Sequence, residues 1–242
     1  MSEPVIERPA APSLISRIIG VITAPRSTFE AIVAAPRVGG ALALVALIGA
    51  VAIGGFLSTE VGQQAWLDQS VEQAEAWTGQ PMSDEAYSGQ QRMAEYAGIM
   101  GAVQMIVSIP LMALIMGGVL YAIFNALMGG AATFKQVMAV VAHSQIISAL
   151  AFLVSTPINF LKGSMTGATN LSVLFPMLDE SSFLARLLGM VDLFALWWLA
   201  VLSIGLAVLY RRKTSSVAMV LFGIYAVIAL GVASFLSSRS GA

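Results

Sequence analysis

Five long apolar stretches divide the sequence, at residues 39–58, 98–128, 136–161, 188–210 and 216–236. Each reaches the roughly 20 residues that a helix needs to cross a hydrocarbon core of about 30 Å. A soluble chain of 242 residues has no core large enough to bury five such segments. The pattern therefore predicts an all-α, polytopic integral membrane protein with five transmembrane helices.

Two shorter amphipathic pieces precede the first apolar stretch, within residues 1–38. The first has an apolar side with helical spacing and Arg17 off that side, and it ends at Ala24-Pro25. The second begins at Ser27 with Glu30 three residues on, which is a capping-box spacing. We expect both to lie at the inner headgroup level, with their arginines (Arg17, Arg26 and Arg37) near anionic lipid. Packing against the cytoplasmic ends of the bundle, and a partner-binding surface that includes Phe29, are both open alternatives.

The segment between the first two apolar stretches, residues 60–97, is predicted to form a solvated helical hairpin outside the membrane. It is acidic, with Arg92 as its single basic residue. Residues 61–78 have helical spacing, and Gly79-Gln80-Pro81 interrupts the pattern. Trp66 and Trp77 are candidate anchors for an extracytoplasmic partner, although tryptophans at a membrane interface have the same pattern.

The distribution of basic residues predicts the orientation of the helices, because Lys and Arg concentrate in cytoplasmic loops. With a cytoplasmic N-terminus, eight basic residues fall inside and four outside. Those inside are Arg8, Arg17, Arg26, Arg37, Lys135, Arg211, Arg212 and Lys213; those outside are Arg92, Lys162, Arg186 and Arg239. The N-terminus is therefore predicted to be cytoplasmic and the C-terminus extracytoplasmic.

The amino-acid composition argues against several kinds of catalytic and metal-binding site. Apolar residues make up 58% of the chain and charged residues 10%, against about 25% charged in soluble domains. There are no cysteines and one histidine, so thiol chemistry, iron–sulfur clusters and multi-histidine metal sites are not expected. The sequence carries no Walker, zinc-protease, nucleophile-elbow or dinucleotide motif. We expect no enzyme activity, no catalytic residues, no metal or other cofactor and no nucleic-acid partner.

Ionisable residues at membrane depth are costly and are therefore functional candidates. Two qualify, His143 in the third apolar stretch and Asp192 near the start of the fourth. Their predicted depths lie too far apart for a His–Asp proton relay. We expect Asp192 to pair with Lys162 or Asn159 and fix the fourth helix against the third, with a functional carboxylate as the alternative. His143, with Gln145 nearby, is expected to bond a neighbouring helix or to contact a substrate.

Three sequence blocks carry a resemblance to a known family. They are Ile18-Ile19-Gly20 to Pro25 with Thr28-Phe29-Glu30-Ala31-Ile32 and Pro36; Thr133 to Ser144; and Asp192-Leu193-Phe194-Ala195-Leu196-Trp197-Trp198 with Gly205 and Arg211-Arg212-Lys213. In order and spacing they resemble the Yip-one domain family, specifically its bacterial members. The resemblance implies a five-helix membrane domain. Eukaryotic relatives bind small Rab GTPases, but the DLYGP-type block before helix 1 is absent here, whereas bacterial members resemble accessory proteins, some associated with exporters.

These observations predict residues 1–38 as a cytoplasmic amphipathic segment, 39–236 as the five-helix domain and 237–242 as a short tail. The preferred function is a non-enzymatic scaffold or accessory subunit of a bacterial inner membrane. Its expected partners are membrane lipids and other membrane proteins, an exporter complex among them, with the oligomeric state open. The alternatives are a lipid-binding or membrane-shaping protein, and a small transporter or channel using the polar groups of helices 2–4. Those groups are Ser108, Asn125, His143, Gln145, Asn159 and Asp192.

Overall fold

The computed structural model describes residues 12–165, 167–179 and 182–240, with the side chains of 239 and 240 excepted. Within these ranges the chain is helical and contains no strand beyond a single isolated bridge. Four stretches are long and apolar enough to cross a membrane. They are Gly39–Leu57, Ala97–Leu127, Phe134–Lys162 and Thr214–Ser238. The all-helical membrane class predicted from the sequence is therefore confirmed.

The first spanning helix, α3 (Gly39–Leu57), packs along α6 (Ala97–Tyr121), and the two backbones come unusually close. A Cβ atom placed on Gly54 would lie 2.8 Å from the Cβ of Ala102. Small residues let membrane helices approach closely, and the resulting van der Waals contact is a main source of their association. The glycine and alanine residues at this interface therefore allow α3 and α6 to pack closely. Beyond α6, residues Ala122–Leu127 widen into a π-helical turn.

Between these two helices the chain forms a helical hairpin. It consists of α4 (Glu60–Thr78) and α5 (Asp84–Ala94), which pack against each other. Thr59 and Ser83 cap the two helices, each accepting a hydrogen bond from a backbone N–H three residues on. Gly79 ends α4 in the left-handed conformation (φ 69°), which glycine adopts without steric cost.

The third apolar stretch is broken in the middle. It forms α7 (Phe134–Ser144) and α8 (Ile146–Lys162), with a turn at Gln145 between them. Thr133 and Gln136 form a reciprocal capping box at the start of α7. Every residue from Val137 to Ser144 is buried, which makes α7 the centre of the core.

The fourth apolar stretch, 188–210, was predicted as one helix, and this is wrong. It contains the end of α9 (Phe183–Met190) and all of α10 (Leu193–Leu209), separated by Val191 and Asp192. Hydropathy is continuous across this junction, so the apolar pattern gave no sign of it. The break comes from the Asp192 side chain, which caps α10. With 17 residues, α10 is shorter than the four stretches named above.

The last helix, α11 (Thr214–Ser240), continues through residues that were predicted to be a tail. It packs on α10 and α9. Only 17% of its most apolar window is buried, the same share as in the Ala97–Leu127 stretch, against 61% for Phe134–Lys162. These two stretches therefore present most of their apolar surface outward.

The N-terminal helices do not lie flat beside the bundle. α2 (Pro25–Ala34) packs between α10 and α7, and α1 (Leu14–Thr23) packs on α3, α7 and α8. Val21, Phe29 and Ile32 have no exposed surface. The two helices form a wedge inserted into one end of the bundle. Of the possibilities considered from the sequence, the structure shows packing against one end of the bundle.

Candidate functional site

Arg17 points into the bundle although it lies on an amphipathic helix. It is 2% exposed, whereas Ile15 and Ile19 on the opposite side of α1 are 69% and 55% exposed. Its Nε donates to the carbonyl of Pro12 (3.0 Å), and its Nη2 is buried with no hydrogen-bond partner among the described residues. The expectation that Arg17 reaches the lipid headgroups along the surface is therefore wrong. In lipid an outward apolar side is stable, so the polar residue can turn inward.

His143 lies in the same end of the bundle, on α7, and is 1% exposed. Its Nδ1 is 2.8 Å from the carbonyl oxygen of Ala139, one turn earlier. Because a carbonyl only accepts, Nδ1 carries the proton, and Nε2 is left as a buried acceptor with no partner among the described residues. His143 bonds its own helix rather than a neighbouring one, so that expectation is corrected.

Two arginines and the neutral imidazole of His143 act on one another at this end of the bundle, with Arg17 and His143 buried and Arg37 exposed. The charge of Arg17 acts on the His143 imidazole, and the charge of Arg37 acts on Arg17. Burial, and to a lesser extent the positive charge of Arg37, lowers the pKa of the Arg17 guanidinium from its ordinary value. No carboxylate of the described residues lies within ion-pair distance of Arg17; Glu30, on α2, instead pairs with the exposed Arg26 (3.8 Å).

Gln145 occupies the turn between α7 and α8. Its Oε1 accepts a hydrogen bond from the Ser148 hydroxyl (2.8 Å), and its backbone carbonyl accepts from the Ser148 N–H (2.9 Å). The side chain therefore supports the start of α8. It is half-buried, and its bonds are local.

Asp192 is the N-cap of α10 and not a residue within a helix. Its Oδ1 accepts from the backbone N–H groups of Phe194 (2.8 Å) and Ala195 (3.0 Å), and its Oδ2 accepts from the Thr169 hydroxyl. Asn170 forms an antiparallel bridge with it. The carboxylate thus fastens the loop after α8 to the start of α10, and the predicted pairing with Lys162 or Asn159 is wrong.

The side chains of Lys162 and Asn159 donate hydrogen bonds to carbonyls of the loop that follows α8. Lys162 Nζ donates to the carbonyl of Gly167 (3.3 Å), and Asn159 Nδ2 donates to the carbonyl of Met165 (3.2 Å). Asn159 is 9% exposed and its Oδ1 is buried without a partner among the described residues. Both side chains shape the turn that follows Gly163, a left-handed residue (φ 61°) at the end of α8.

The two tryptophans of the hairpin lie on one side of α4 and line a small surface groove, and Trp77 also lines a larger one. The smaller, of about 350 Å³, is bordered by Trp66, Trp77 and the amides of Gln69, Gln73 and Gln90. The larger, of about 770 Å³, runs between α4 and the ends of α8 and α11. Trp66 is partly buried against Phe56 and Leu57, whereas Trp77 is 64% exposed. Trp77 is thus the better placed of the two to touch a partner.

Phe29 lies in the core, which does not fit its predicted role as a partner contact. A Cβ placed on Gly205 would meet Val140 Cγ1 at 2.6 Å and Phe29 Cε1 at 3.0 Å. Phe29 therefore fills the space that Gly205 leaves between α2, α7 and α10. As folded here it has no surface to offer a partner.

The residues of the proposed transport path are not brought together. Asn125 Nδ2 donates to the Ala132 carbonyl (2.7 Å) at the end of the π-helical turn, and Ser144 and Ser203 bond carbonyls of their own helices. Neither groove described above is lined by His143, Gln145 or Asp192. The polar groups inside the bundle are separate, locally bonded side chains.

Sequence reasoning missed three residues that hold this arrangement together. Thr169, in a loop, binds Asp192; Tyr210 stacks on Phe124 (ring centroids 5.1 Å apart); and Arg212 Nη2 donates to the Met128 carbonyl (2.6 Å). An aspartate before an apolar run is an N-cap signal, and applied to Asp192 it would have indicated the start of α10. Nothing in the sequence pointed to the partners of Tyr210 and Arg212, which lie more than 80 positions away.

Fold and polar arrangement together define a polytopic α-helical membrane protein whose N-terminal wedge is part of the bundle. The Yip1 domain model matches residues 19–236, so the chain belongs to the Yip1 domain family and the predicted resemblance is confirmed. The chain is 27% identical over 235 residues to "Membrane protein YknW" of Bacillus subtilis (strain 168), with 93% of each chain covered. No solved structure is significantly similar to it.

Proposed function

We propose that this protein is a non-enzymatic scaffold or accessory subunit that binds other membrane proteins within a bacterial inner membrane. One observation carries the proposal: the polar side chains inside the bundle bond their own helices and loops instead of lining a shared path. His143, Ser144 and Ser203 are all at most 1% exposed. A transporter needs polar groups that converge on one cavity, whereas a scaffold needs a packed interior and an available outer surface.

The outer surface supports the same function. On α11, Met219 and Val227 are 76% and 71% exposed, and Gly223 between them has nothing within 4 Å of a Cβ position. A glycine on an exposed helix face lets a second helix approach closely in lipid. This face, together with the hairpin and its exposed Trp77, is the proposed binding surface.

We propose further that the chain crosses the membrane five times, with a cytoplasmic N-terminus and an extracytoplasmic C-terminus. Contacts at the two ends of the bundle support this. At one end the Gln136 side chain bonds Val33 and Arg212 bonds Met128, which groups the wedge with the starts of α7 and α11. At the other end the larger groove joins α4 to residues after α8 and to Phe235 near the end of α11. In this arrangement α10 is the fourth crossing, and the acidic hairpin is extracytoplasmic.

The test is photo-crosslinking in the native cell, followed by purification in mild detergent. A photoreactive amino acid at Val227 should capture one membrane protein at near-stoichiometric yield. The matched control is Leu153, on α8, which is 56% exposed and outside the proposed surface; it should give mainly lipid or diffuse products. If the protein labelled at Val227 purifies without a crosslinked partner, and the purified protein moves solute across liposome membranes, the transport alternative is established and the scaffold function is overturned.

A further inference from the structure

The buried guanidinium of Arg17 has no counter-charge among the described residues. An arginine stays protonated in proteins, and burial of an uncompensated charge costs several kcal/mol. Among the residues that the structure describes, Arg17 makes one hydrogen bond, from Nε to a neutral carbonyl, and its Nη2 has no partner. The nearby charge of Arg37 adds repulsion. Arg37 itself is exposed, so the buried charge that calls for an anion is that of Arg17.

Arg17 shares the buried side of α1 with apolar residues: Val21, one turn on, has no exposed surface, and Ile18 and Ile22 pack against the core. α1 turns Ile15 and Ile19 outward and Arg17 inward, so the helix is docked through the side that carries its charge. Leu14, three residues before Arg17 and on the same side of α1, packs against the start of α3, where its Cδ2 lies 3.3 Å from a Cβ placed on Gly40. The α1 side that carries Arg17 therefore faces the first turn of α3.

The first turn of α3 offers further donors. Val38 occupies the N-cap position and supplies no side-chain hydrogen bond, so the first N–H groups of this 19-residue helix have no cap. Uncapped N–H groups at a helix N-terminus bind anions, and phosphate in particular. An arginine fork also matches phosphate geometry, since it can donate two parallel hydrogen bonds.

We propose that the space between α1 and α3 is a phosphate-binding site, in which Arg17 supplies the central contact and Arg37 and the first N–H groups of α3 complete it. A phosphate group has enough acceptor oxygens to bond Arg17, Arg37 and the helix terminus together. The phosphate can come from an anionic phospholipid of the inner leaflet or from a soluble phosphate compound. The site does not depend on the scaffold function.

The experiment uses the full chain purified in mild detergent and in nanodiscs. Nanodiscs of phosphatidylcholine are compared with nanodiscs that also contain phosphatidylglycerol, and inorganic phosphate is titrated in detergent at matched ionic strength. Native mass spectrometry counts retained phosphatidylglycerol, and tryptophan fluorescence gives the melting temperature. The wild type should retain one phosphatidylglycerol and melt at a higher temperature when it is present. A response to inorganic phosphate alone would assign the site to soluble phosphates and would equally support it.

The informative variants are R17Q and R26Q, which remove the same charge. Arg26 is exposed on α2 and paired with Glu30, so R26Q should bind within about twofold of the wild type. R17Q should lose at least about tenfold in affinity, the amount that one charge-assisted hydrogen bond contributes. If R17Q does not fold, R17K serves instead: it keeps the charge but not the guanidinium fork, and it should lose less phosphate affinity than R17Q would. The titrations of the wild type test the site without any variant.

Two results would overturn the proposal. The first is a wild type that neither retains phosphatidylglycerol nor melts higher with either form of phosphate. The second is an R17Q variant that binds phosphatidylglycerol and inorganic phosphate as tightly as R26Q does. If neither form of phosphate affects the wild type and E7Q destabilises the chain as much as R17Q, then Glu7, which lies outside the described residues, is the counter-charge of Arg17.

Discussion

Replacing Gly205 by alanine tests whether the N-terminal wedge is part of the packed core. The added Cβ would lie 2.6 Å from Val140 Cγ1 and 3.0 Å from Phe29 Cε1, whereas favourable carbon–carbon contacts are about 3.5–4.0 Å. Phe29 and Val140 have no exposed surface, so neither can move aside freely. Overpacking of a tight core costs about 1–3 kcal/mol.

The matched control is G223A, because Gly223 is also in a helix but has nothing within 4 Å of its Cβ position. Both substitutions gain about 1 kcal/mol of intrinsic helix stability. G223A should therefore be neutral or stabilising, and its free energy of unfolding should exceed that of G205A by about 1–3 kcal/mol, the overpacking cost. The measurement is reversible unfolding in mixed micelles, followed by the fluorescence of the four tryptophans.

A second substitution identifies the clash. F29A removes Cε1 and Cδ1, the two atoms of α2 nearest to the new methyl group (3.0 and 3.1 Å), so the double variant G205A/F29A should be more stable than the sum of the two single changes predicts. A coupling of about 0.5–3 kcal/mol is typical of residues in contact. If G205A shows no coupling to Phe29, then α2 is not docked between α7 and α10, and the inserted position of the N-terminal helices is refuted.

Three other outcomes follow from the structure. D192A should destabilise the protein by about 0.5–2 kcal/mol through loss of the α10 cap, while D192N, which can still cap, should cost less; equal losses would point to a role for the carboxylate charge. Because the chain has no cysteine, S88C and S215C can be labelled singly in whole cells; an impermeant maleimide should reach S88C at once and S215C only after permeabilisation, and the reverse order would contradict the topology. Burial, with a smaller effect from Tyr121, raises the pKa of Tyr210 to about 12, and its hydroxyl has no partner among the described residues. An unfolded tyrosine ionises with a pKa near 10, so the free energy of unfolding of the wild type should fall between about pH 10 and 12. The fall should be steeper than for Y210F, which should be at least as stable as the wild type at pH 7. Parallel alkaline unfolding curves for the two proteins would refute this.

The sequence alone was sufficient for the class of protein and for most helices. Helices of about 20 apolar residues are stable in lipid, where each backbone polar group is bonded within the helix. The all-helical membrane class could therefore be predicted without knowledge of tertiary contacts. The hairpin helices were likewise readable, because turn chemistry is local. The capping box predicted at Ser27 and Glu30 is wrong, since α2 begins at Pro25 and its N-cap position is Ala24. Order and spacing of three motif blocks identified the family.

Only the tertiary structure decided where the polar residues point. The break before α10 lies within an unbroken apolar run and depends on the Asp192 carboxylate meeting Thr169, which a hydropathy pattern cannot show. The direction of α1 was also undetermined, because an amphipathic helix beside lipid can bury either side. Phe29 shows the same limit: its fit against Gly205 joins residues far apart in the chain. Local sequence sets which segments become helices in a bilayer, whereas the rotation of each helix is set by how its small and large side chains fit the neighbouring ones.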